Sequence, residues 1–411
     1  MKKRISPALR LFLLIAIFLS SFAAAPLSQN PVKTNPQPVL EDYEVFPCYE
    51  GSAFYCGVID MPLDHFNPDD TRTIPVVFAI LPASGERKGM FVTATGGPGT
   101  SGVLLADFYS SGFDPSIFES FDVVFFDQRG MGLSGGLTCP AAATEYYQED
   151  GRGVTPKQEQ ALKKFAKTFV TDCVDELGST ELLPYLSTRQ AVEDLEVVRQ
   201  MVGDEKFWLY GESYGTQFAQ TYAAAHGEHL AGLILDGTVD LTLSGFEYYV
   251  QQAQAFNDTL VATLSVCNED PACAEQMNGD AIAAYDALAA KLRKNPISFK
   301  YPLGNGKLKS RKFTFSDLEY VAASQMYGES DRMMFTRALA AYTQNGDIVP
   351  LARLLYIDLV VDPQTLDIIP DDSWSDAYFY AVECQDYGYP GSTPNERAEL
   401  YLDAMDPYET S

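Results

Sequence analysis

The sequence predicts an α/β fold, because strand-like and helix-like patterns alternate along its first 240 residues. Near-continuous apolar runs such as 123–126 are typical of parallel strands that are covered on both faces. The later pattern is mostly helical, with strand signals only at 297–301 and 312–314. We therefore expect a doubly wound, mostly parallel sheet in residues 45–240 and an inserted helical cap or lid in residues 241–411.

Hydrophobic periodicity places the individual elements of the first half. The predicted strands are 54–61, 73–81, 90–95, 122–126, 207–210 and 230–235. The predicted helices are 157–176, 189–201 and 214–226.

Residues 1–23 have the pattern of a secretory signal peptide. Four basic residues lie within the first ten positions, and the apolar run 11–19 is too short to span a bilayer. Residues 24–44 are rich in Pro and Asn and predict a flexible lead-in. We expect a mature protein that is secreted, extracellular or periplasmic, and that has no membrane attachment.

The composition limits the partners. The formal net charge is −27 over 411 residues, and such a surface repels nucleic acid and anionic lipid. We therefore expect no nucleic-acid partner.

The chain has seven cysteines, an odd number. Six cysteines alone allow fifteen pairings, so spacing favours particular pairs without excluding others. The favoured pairs are Cys48–Cys56, Cys267–Cys273 and Cys139–Cys173, which leaves Cys384 without a partner.

The pentapeptide Gly211-Glu212-Ser213-Tyr214-Gly215 joins a predicted strand to a predicted helix. This is the context of a nucleophile elbow, in which a serine lies on a strained turn and small residues flank it at two positions' distance. Ser213 is the candidate nucleophile.

Two further motifs follow predicted strands. The glycines of Gly96-Gly97-Pro98-Gly99 allow a sharp turn, and the amides of Gly97 and Tyr214 would together form an oxyanion hole. In Asp127-Gln128-Arg129-Gly130 we expect the charged residues to fix a loop rather than to contact substrate.

The stretch 97–102 also matches the G-x-G-x-x-G pattern of dinucleotide-binding folds. Asp127 follows Gly99 by 28 residues rather than about 20, and a secreted protein meets little free cofactor. We therefore favour the oxyanion interpretation.

None of the three histidines is well placed to activate Ser213. His226 lies thirteen residues further along one predicted helix, roughly 20 Å away along its axis, and His229 follows it. His65 precedes the serine, which is the wrong order for a nucleophile elbow.

Taken together, the motifs resemble the secreted α/β-hydrolases of the proline iminopeptidase and tripeptidyl aminopeptidase type. The resemblance rests on the glycine loop, on 127–130, on the elbow, on Leu235-Asp236-Gly237 and on Cys384-Gln385-Asp386, in that order. It implies a serine peptidase that needs no metal or cofactor and cleaves peptides with a free N-terminus. Glu383 and Asp386 are then candidates for neutralising the substrate ammonium group, although a structural role is favoured for each.

The chain departs from this family in two places. Thr95 stands where cytosolic members carry a histidine, which leaves the substrate preference open. In the family, two strands follow the cap and bring the catalytic Asp and His, together with a cysteine that pairs with one like Cys384. We therefore expect a C-terminally truncated, inactive copy of a longer enzyme. A different acyl hydrolase such as an esterase, or a non-catalytic binding protein of hydrolase ancestry, are the alternatives.

Overall fold

The computed structural model describes residues 45–400 apart from 154, 390, 394, 395 and 398. Among these residues, a seven-stranded sheet has the strand order β1-β2-β3-β5-β4-β6-β7. The first four strands of this order pair antiparallel, and β5, β4, β6 and β7 pair parallel. The strands are β1 (Val45–Pro47), β2 (Tyr55–Pro62), β3 (Thr73–Leu81), β4 (Met90–Ala94), β5 (Asp122–Asp127), β6 (Phe207–Glu212) and β7 (Leu230–Asp236). The mostly parallel sheet that the sequence predicts is thus confirmed.

The central strands are apolar because both of their faces are covered. Every residue of β4 and β5 is buried. Val124 and Phe126 of β5 pack with helices on one face, whereas Val123 and Phe125 pack with short helices on the other. Since neighbouring residues of a strand point to opposite faces, a strand covered on both faces is mostly apolar, and the two acids of β5 lie at its ends, Asp122 and Asp127.

Helices cover both faces of this sheet. On one face lie α5 (Thr188–Val202) and α6 (Tyr214–His226), and on the other α1 (Ala106–Ser110) and α2 (Pro115–Ser120). Between β5 and α5, the structure also describes α3 (Pro140–Tyr147), α4 (Pro156–Leu177) and a short 3₁₀ helix at Leu183–Tyr185. The predicted helices correspond to α4, α5 and α6, whereas the short α1, α2 and α3 were not predicted.

Local sequence sets the ends of these helices. Ser187 accepts a hydrogen bond from the amide of Gln190 at the start of α5, and Gly203 ends that helix with φ 80°. Thr155 and Gln158 form a capping box at the start of α4. Such caps satisfy amides that have no partner within the helix.

The chain after β7 has a hydrophobic core of its own. Side chains such as Leu288, Val321, Phe335 and Leu351 meet in that core, each fully buried. The elements are α7 (Gly245–Glu269), α8 (Pro271–Gln276), α9 (Ala281–Lys294), the hairpin β8 (Ile297–Pro302) with β9 (Leu308–Phe313), α10 (Phe315–Ser324), α11 (Glu329–Asn345) and α12 (Val349–Asp358). The mostly helical pattern and the two strand signals of the sequence correspond to these elements.

The chain then returns to the sheet domain through α13 (Asp376–Asp386). Just before this helix, the amide of Ser101 donates to the carbonyl of Ser373 at 2.8 Å, and the amide of Ser375 donates to that of Gly99 at 2.9 Å. Tyr378 of α13 is fully buried against the sheet domain. The sequence groups this segment with the cap, but it packs directly against the glycine loop.

Strand β7 forms an edge of the sheet in the described part of the chain. It pairs only with β6, and its Ile234 is 39% exposed. In addition, no helix of the described residues is long and apolar enough to cross a bilayer.

Three disulfides connect Cys48 with Cys56, Cys139 with Cys173, and Cys267 with Cys273. All three predicted pairs are confirmed. Cys384 is free, as expected, and the structure shows that it is exposed. Disulfides of this number are typical of proteins that fold in an oxidising compartment.

The three disulfides should differ in their contribution to stability. Cys139–Cys173 spans 34 residues, whereas Cys267–Cys273 spans 6. The Cys139–Cys173 bond therefore restricts the unfolded chain more strongly. Replacing both cysteines by Ala should lower the free energy of unfolding by about 4 kcal/mol for the long loop and about 2 kcal/mol for the short one. Urea unfolding measures both values. The matched control is Cys48–Cys56, with a span of 8, which should resemble the short loop; the reverse ranking would contradict this account.

Candidate active site

Ser213 lies at the sharp turn between β6 and α6. Its backbone has φ 52° and ψ −121°, a conformation that costs a non-glycine residue about 1–3 kcal/mol. Two hydrogen bonds hold the turn: the amide of Ser213 donates to the carbonyl of Asp236 at 2.8 Å, and the amide of Thr216 donates to the carbonyl of Ser213 at 2.9 Å. The serine is exposed, so its hydroxyl is accessible at a backbone position that is held under strain.

The glycines around Ser213 are required by close backbone contacts. A Cβ at Gly211 would lie 2.2 Å from the carbonyl oxygen of Gly215, and a Cβ at Gly215 would lie 2.0 Å from that of Ala94. Real Cβ atoms do not approach backbone this closely, so no larger residue fits either position without displacing the chain. The elbow therefore depends on the pattern of small residues that the sequence shows.

The glycine loop after β4 packs against this elbow. A Cβ at Gly96 would lie 3.1 Å from the Cβ of Ser213. Gly97 has φ 111° and Gly99 has φ 122°, values that favour glycine. Thr95 stabilises the loop because its hydroxyl donates to the carbonyl of Thr100 at 2.8 Å. The structure thus brings the predicted loop next to the predicted nucleophile.

Tyr214 has two roles to consider, one of its backbone and one of its side chain. It is the first residue of α6, where backbone amides have no partner within the helix and the helix dipole is positive. Its buried hydroxyl lies 2.6 Å from the hydroxyl of Thr188 and 3.2 Å from Oε1 of Gln128. Burial raises the pKa of Tyr214 well above its usual value, so the phenol stays neutral and anchors the start of the helix.

Each histidine of the chain has partners other than Ser213. His65 Nε2 lies 2.7 Å from Asp194, and His226 Nε2 lies 3.1 Å from Glu193. His229 Nδ1 lies 3.3 Å from the backbone oxygen of Glu205. Among the hydrogen bonds of the described residues, none joins one of these histidines to the hydroxyl of Ser213. The sequence-based expectation that no histidine of this chain activates the serine is consistent with these contacts.

Asp127 and Arg129 fix loops. Asp127 is fully buried and accepts hydrogen bonds from the hydroxyl of Ser101 at 2.6 Å, the amide of Val103 at 3.0 Å and the amide of Leu133 at 2.7 Å. Burial raises its pKa, and these donors oppose the shift. Ser101 and Val103 follow the glycine loop directly, so their hydrogen bonds to Asp127 fix that loop to the end of β5.

Arg129 is also fully buried, and its guanidinium donates two hydrogen bonds to Asp194 at 2.6 and 2.8 Å. A third goes to the carbonyl of Leu63 at 2.7 Å. Since Asp194 also contacts His65, one carboxylate holds both side chains in place.

Glu383 of α13 is buried, and the hydroxyl of Tyr249 in α7 donates to its carboxylate. Burial raises the pKa of Glu383 to about 7, against the hydrogen bond from Tyr249 that lowers it. The ring of Tyr248 lies 5.4 Å from that of Tyr387. Burial is the main cause that raises the pKa of both phenols, and the carboxylate of Glu383 adds to it. Glu383 is thus a poorly solvated carboxylate among tyrosines.

Asp386, at the end of α13, contacts the start of α5. Its Oδ2 accepts from the amide of Thr188 at 2.9 Å, at a helix terminus where a negative charge is favourable. Burial raises its pKa, and the hydrogen bonds from Thr188 oppose the shift. Because Thr188 also contacts the hydroxyl of Tyr214, Asp386 is linked to the elbow through a single residue.

Sequence reasoning missed the residues that join α13 to the glycine loop. A Cβ at Gly97 would lie 3.1 Å from the indole ring of Trp374. Tyr378 donates to Oε1 of Gln128 at 2.8 Å, the same atom that the hydroxyl of Tyr214 approaches. These contacts join positions 250 and more residues apart, and no local pattern marks them. As for metals, the described residues include no group of three or more His, Cys, Asp or Glu that could hold an ion.

Replacing Gly215 by Ala should destabilise the protein by roughly 3 kcal/mol, because the added methyl would overlap the carbonyl of Ala94. Gly227, at the far end of the same helix, is the matched control: it has φ −59° and nothing within 4 Å of an added Cβ. Gly227→Ala should leave stability unchanged or slightly higher. Urea unfolding of both variants tests this, and equal losses would refute the account of the elbow.

Comparison with known families and curated proteins fits this geometry. A family model described as the alpha/beta hydrolase fold matches residues 90–384, well over half of the chain. The serine protease Hip1 of Mycobacterium tuberculosis H37Rv is 30% identical over 226 residues, which cover 53% of this chain and 42% of that protein. Carboxylesterase B of the same strain is 29% identical over 222 residues, with 53% and 42% covered.

The tripeptidyl aminopeptidase of Streptomyces lividans is 27% identical over 191 residues, which cover 45% of this chain and 35% of that protein. The chain thus spans less than half the length of these three relatives. The family match, the sheet order and the strained serine turn agree with one another. The chain belongs to the α/β-hydrolase family.

Proposed function

We propose that this chain carries the nucleophile and the oxyanion loop of a secreted serine hydrolase, an exo-acting aminopeptidase of the proline iminopeptidase or tripeptidyl aminopeptidase kind. The observation that carries the proposal is the exposed hydroxyl of Ser213 on a strained turn, beside a glycine loop. Relatives named serine protease and tripeptidyl aminopeptidase support a peptide substrate. The disulfides support secretion, while the proposed signal peptide (residues 1–23) lies outside the described residues.

In this mechanism, the Ser213 hydroxyl gives its proton to a general base and attacks the scissile carbonyl. The C–N bond of the tetrahedral intermediate then breaks, the leaving amine takes up that proton, and water hydrolyses the acyl-enzyme that remains. The amides of Tyr214 and Gly97 would stabilise the oxyanion of the tetrahedral intermediate. Tyr214 suits this role because its amide lies at the start of α6, where it has no helical partner. Gly97 suits it because its loop packs against the elbow.

The serine needs a general base, and the contacts of His65, His226 and His229 leave each of them engaged elsewhere. We propose that the base is a histidine outside this 411-residue sequence, oriented by a carboxylate. By itself, the chain would then retain only the modest rate enhancement of an oxyanion hole.

Glu383 and Asp386 are the proposed partners of the substrate ammonium group. Asp386 already accepts the amide of Thr188, which favours a supporting role for it. The hydroxyl of Tyr249 donates to Glu383, and burial raises the pKa of Glu383 to about 7. Because a buried carboxylate is costly without a charged partner, the ammonium group of a substrate would stabilise it better than a phenol does. Asp386 of α13 also contacts Thr188, which contacts the hydroxyl of Tyr214 next to Ser213. A shift of α13 would therefore change the packing around Ser213.

An esterase activity is the second candidate. It uses the same elbow and oxyanion loop, and the relative named carboxylesterase B supports it. Turnover of acyl esters that exceeds turnover of unblocked peptide amides would favour it.

Activity should depend on Ser213 and on sequence beyond residue 411. In the protein extended by its natural downstream sequence, Ser213→Ala should lower kcat by about 10⁶-fold on unblocked peptide amides and abolish labelling by a fluorophosphonate. Ser330→Ala, an exposed serine on α11, is the control and should have no effect. The 411-residue chain should be inert in both assays.

Two results would contradict this proposal. If Ser213→Ala retained activity within tenfold of the unchanged protein, another group would be the nucleophile. Ser213-dependent turnover by the 411-residue chain at the rate of the extended protein would show that one of its own three histidines acts as the base.

The pH profile tests Glu383. Its carboxyl group is neutral below its pKa of about 7, and a peptide N-terminus loses its charge above roughly 7.7–8.0. The kcat/KM for unblocked peptides should therefore rise through pH 7 and fall near pH 8. Glu383→Gln should leave only the rise that the catalytic histidine causes near its usual pKa of about 6.5, and it should lower kcat/KM by at least ~30-fold.

Glu319 is the matched control for this substitution. Like Glu383, it accepts a hydrogen bond from a tyrosine hydroxyl, that of Tyr285 at 2.6 Å, and its pKa is raised, but its residue is exposed. Glu319→Gln should keep the unchanged profile. If both variants behaved alike, Glu383 would have no special relation to the substrate.

A further inference from the structure

A cavity of about 210 Å³ lies where α3 meets the segment between α12 and α13. It is smaller than the roughly 300 Å³ at which pockets for drug-sized ligands begin, so its volume suits a group the size of one amino-acid side chain. It is separate from the surroundings of Glu383, and neither the elbow nor α13's contact with α5 uses it.

The polar lining of this cavity is acidic. Asp358, Asp371 and Asp376 line it, and no Lys, Arg or His is among the described residues around it. Asp371 is satisfied locally, because it accepts from the amide and the hydroxyl of Ser373 at 2.9 and 2.6 Å. Asp376 accepts from the hydroxyl of Tyr147 at 3.0 Å.

Asp358 is the carboxylate with an unused acceptor. Its Oδ1 accepts from the side-chain amide of Gln325 at 2.9 Å, whereas its Oδ2 is buried and has no hydrogen-bond partner among the described residues. Burial raises the pKa of Asp358 to about 7, and the nearby Asp331 adds to the shift. An unpartnered buried acceptor is costly, and a donor carrying positive charge would remove that cost.

The rest of the lining suits an alkyl cation. The aromatic rings of Tyr147, Tyr320 and Trp374 line the cavity, and ring faces attract alkylammonium and guanidinium groups. Leu359 and Ile369 offer apolar contact for a hydrocarbon stem. A metal ion would need several oxygen or nitrogen ligands grouped together, which the described residues do not provide.

One wall of the cavity also touches the candidate oxyanion loop. Trp374 lines the cavity together with Asp376, which follows it two positions later, and its ring lies 3.1 Å from the position of a Cβ at Gly97. A group bound against the Trp374 ring is therefore one side chain away from Gly97.

We propose that this cavity binds an organic monocation, an alkylammonium or guanidinium group, between Asp358, Asp376 and the ring of Trp374. The cation belongs either to a basic side chain of a peptide or to a free amine. The first source rests on the proposed peptidase function, whereas the preference of the cavity for a cation does not.

The test uses the intrinsic fluorescence of Trp374. The chain has two tryptophans, so Trp208→Phe leaves Trp374 as the reporter. At pH 8, above the pKa of Asp358, n-butylammonium and n-butylguanidinium should change the emission with half-saturation on the order of 1 mM. The neutral isostere 1-butanol and magnesium chloride should give no saturable change over the same range. This ligand series needs no substitution in the cavity.

Substitutions then locate the site. Asp358→Asn and Asp376→Asn keep the size of the side chain, and each should weaken binding of n-butylammonium by roughly tenfold or more. Asp372→Asn is the matched control, because Asp372 is exposed and does not line the cavity. Urea unfolding of each variant verifies that it is folded.

Peptides distinguish the two sources of the cation. If the site serves a substrate, a lysine tripeptide amide should bind at least tenfold more tightly than n-butylammonium, and its norleucine analogue should not. Equal affinity of the lysine peptide and the free amine would support a site for free amines. Ser213→Ala should leave all of these affinities unchanged. If Ser213 proved not to be the nucleophile, the proposed function would be refuted, whereas the binding of cations in this cavity would still stand.

Two outcomes would overturn the inference. One is equal binding of 1-butanol and n-butylammonium, which would make the cavity merely apolar. The other is unchanged binding of n-butylammonium in a folded Asp358→Asn or Asp376→Asn variant, which would place the cation elsewhere.

Discussion

The close approach of backbone segments at Ser213 is the constraint on which the rest of the structure depends. The chain at 211 and 215 and the end of β4 lie so near to one another that a single Cβ would overlap a carbonyl oxygen. Only this approach lets α6 begin directly above the sheet, with the serine held at φ 52°. The cost of that backbone conformation, about 1–3 kcal/mol, is offset by the burial of the strands and helices on both sides.

The glycine loop depends on the elbow and also on α13. Behind the loop, Asp127 accepts hydrogen bonds from Ser101 and Val103. In front of it, the segment of Trp374 and Ser375 adds backbone hydrogen bonds and an indole ring. The loop is thus held between the sheet domain and a segment that enters only after the helical region. A shift of the segment that follows the helical region would therefore also move the glycine loop, where we propose that the oxyanion forms.

Carboxylates are distributed unevenly between solvent and interior. With a net charge of −27, the chain has many acids that water solvates. Glu383 and Asp358 are among the exceptions, since burial raises the pKa of each to about 7. A buried acid without a cationic partner is costly, and such groups are found more often at functional sites than elsewhere. The two acids lie in different surroundings, one among tyrosines beside α7 and one in a cavity beside Trp374, which is why we assign them different ligands.

By itself, the sequence determined those features that depend on short stretches of chain. Apolar runs identified the parallel strands, the small residues around Ser213 identified the elbow, and close spacing identified the pairs Cys48–Cys56 and Cys267–Cys273. Each of these follows from local sterics, local burial or short loops. The sequence did not predict β1 or the short helices α1 to α3, whose few residues carry too weak a periodicity.

Only the tertiary structure decided which distant residues meet at the site. Trp374 reaches Gly97, Asp386 accepts the amide of Thr188, and Arg129 and His65 share Asp194. Local sequence has no signal for such contacts, because they arise when whole elements pack and each buried polar group must then find a partner. The same packing decides which carboxylates lose water and which stay solvated. For that reason the strained serine turn could be predicted from five residues, whereas the acidic cavity could not.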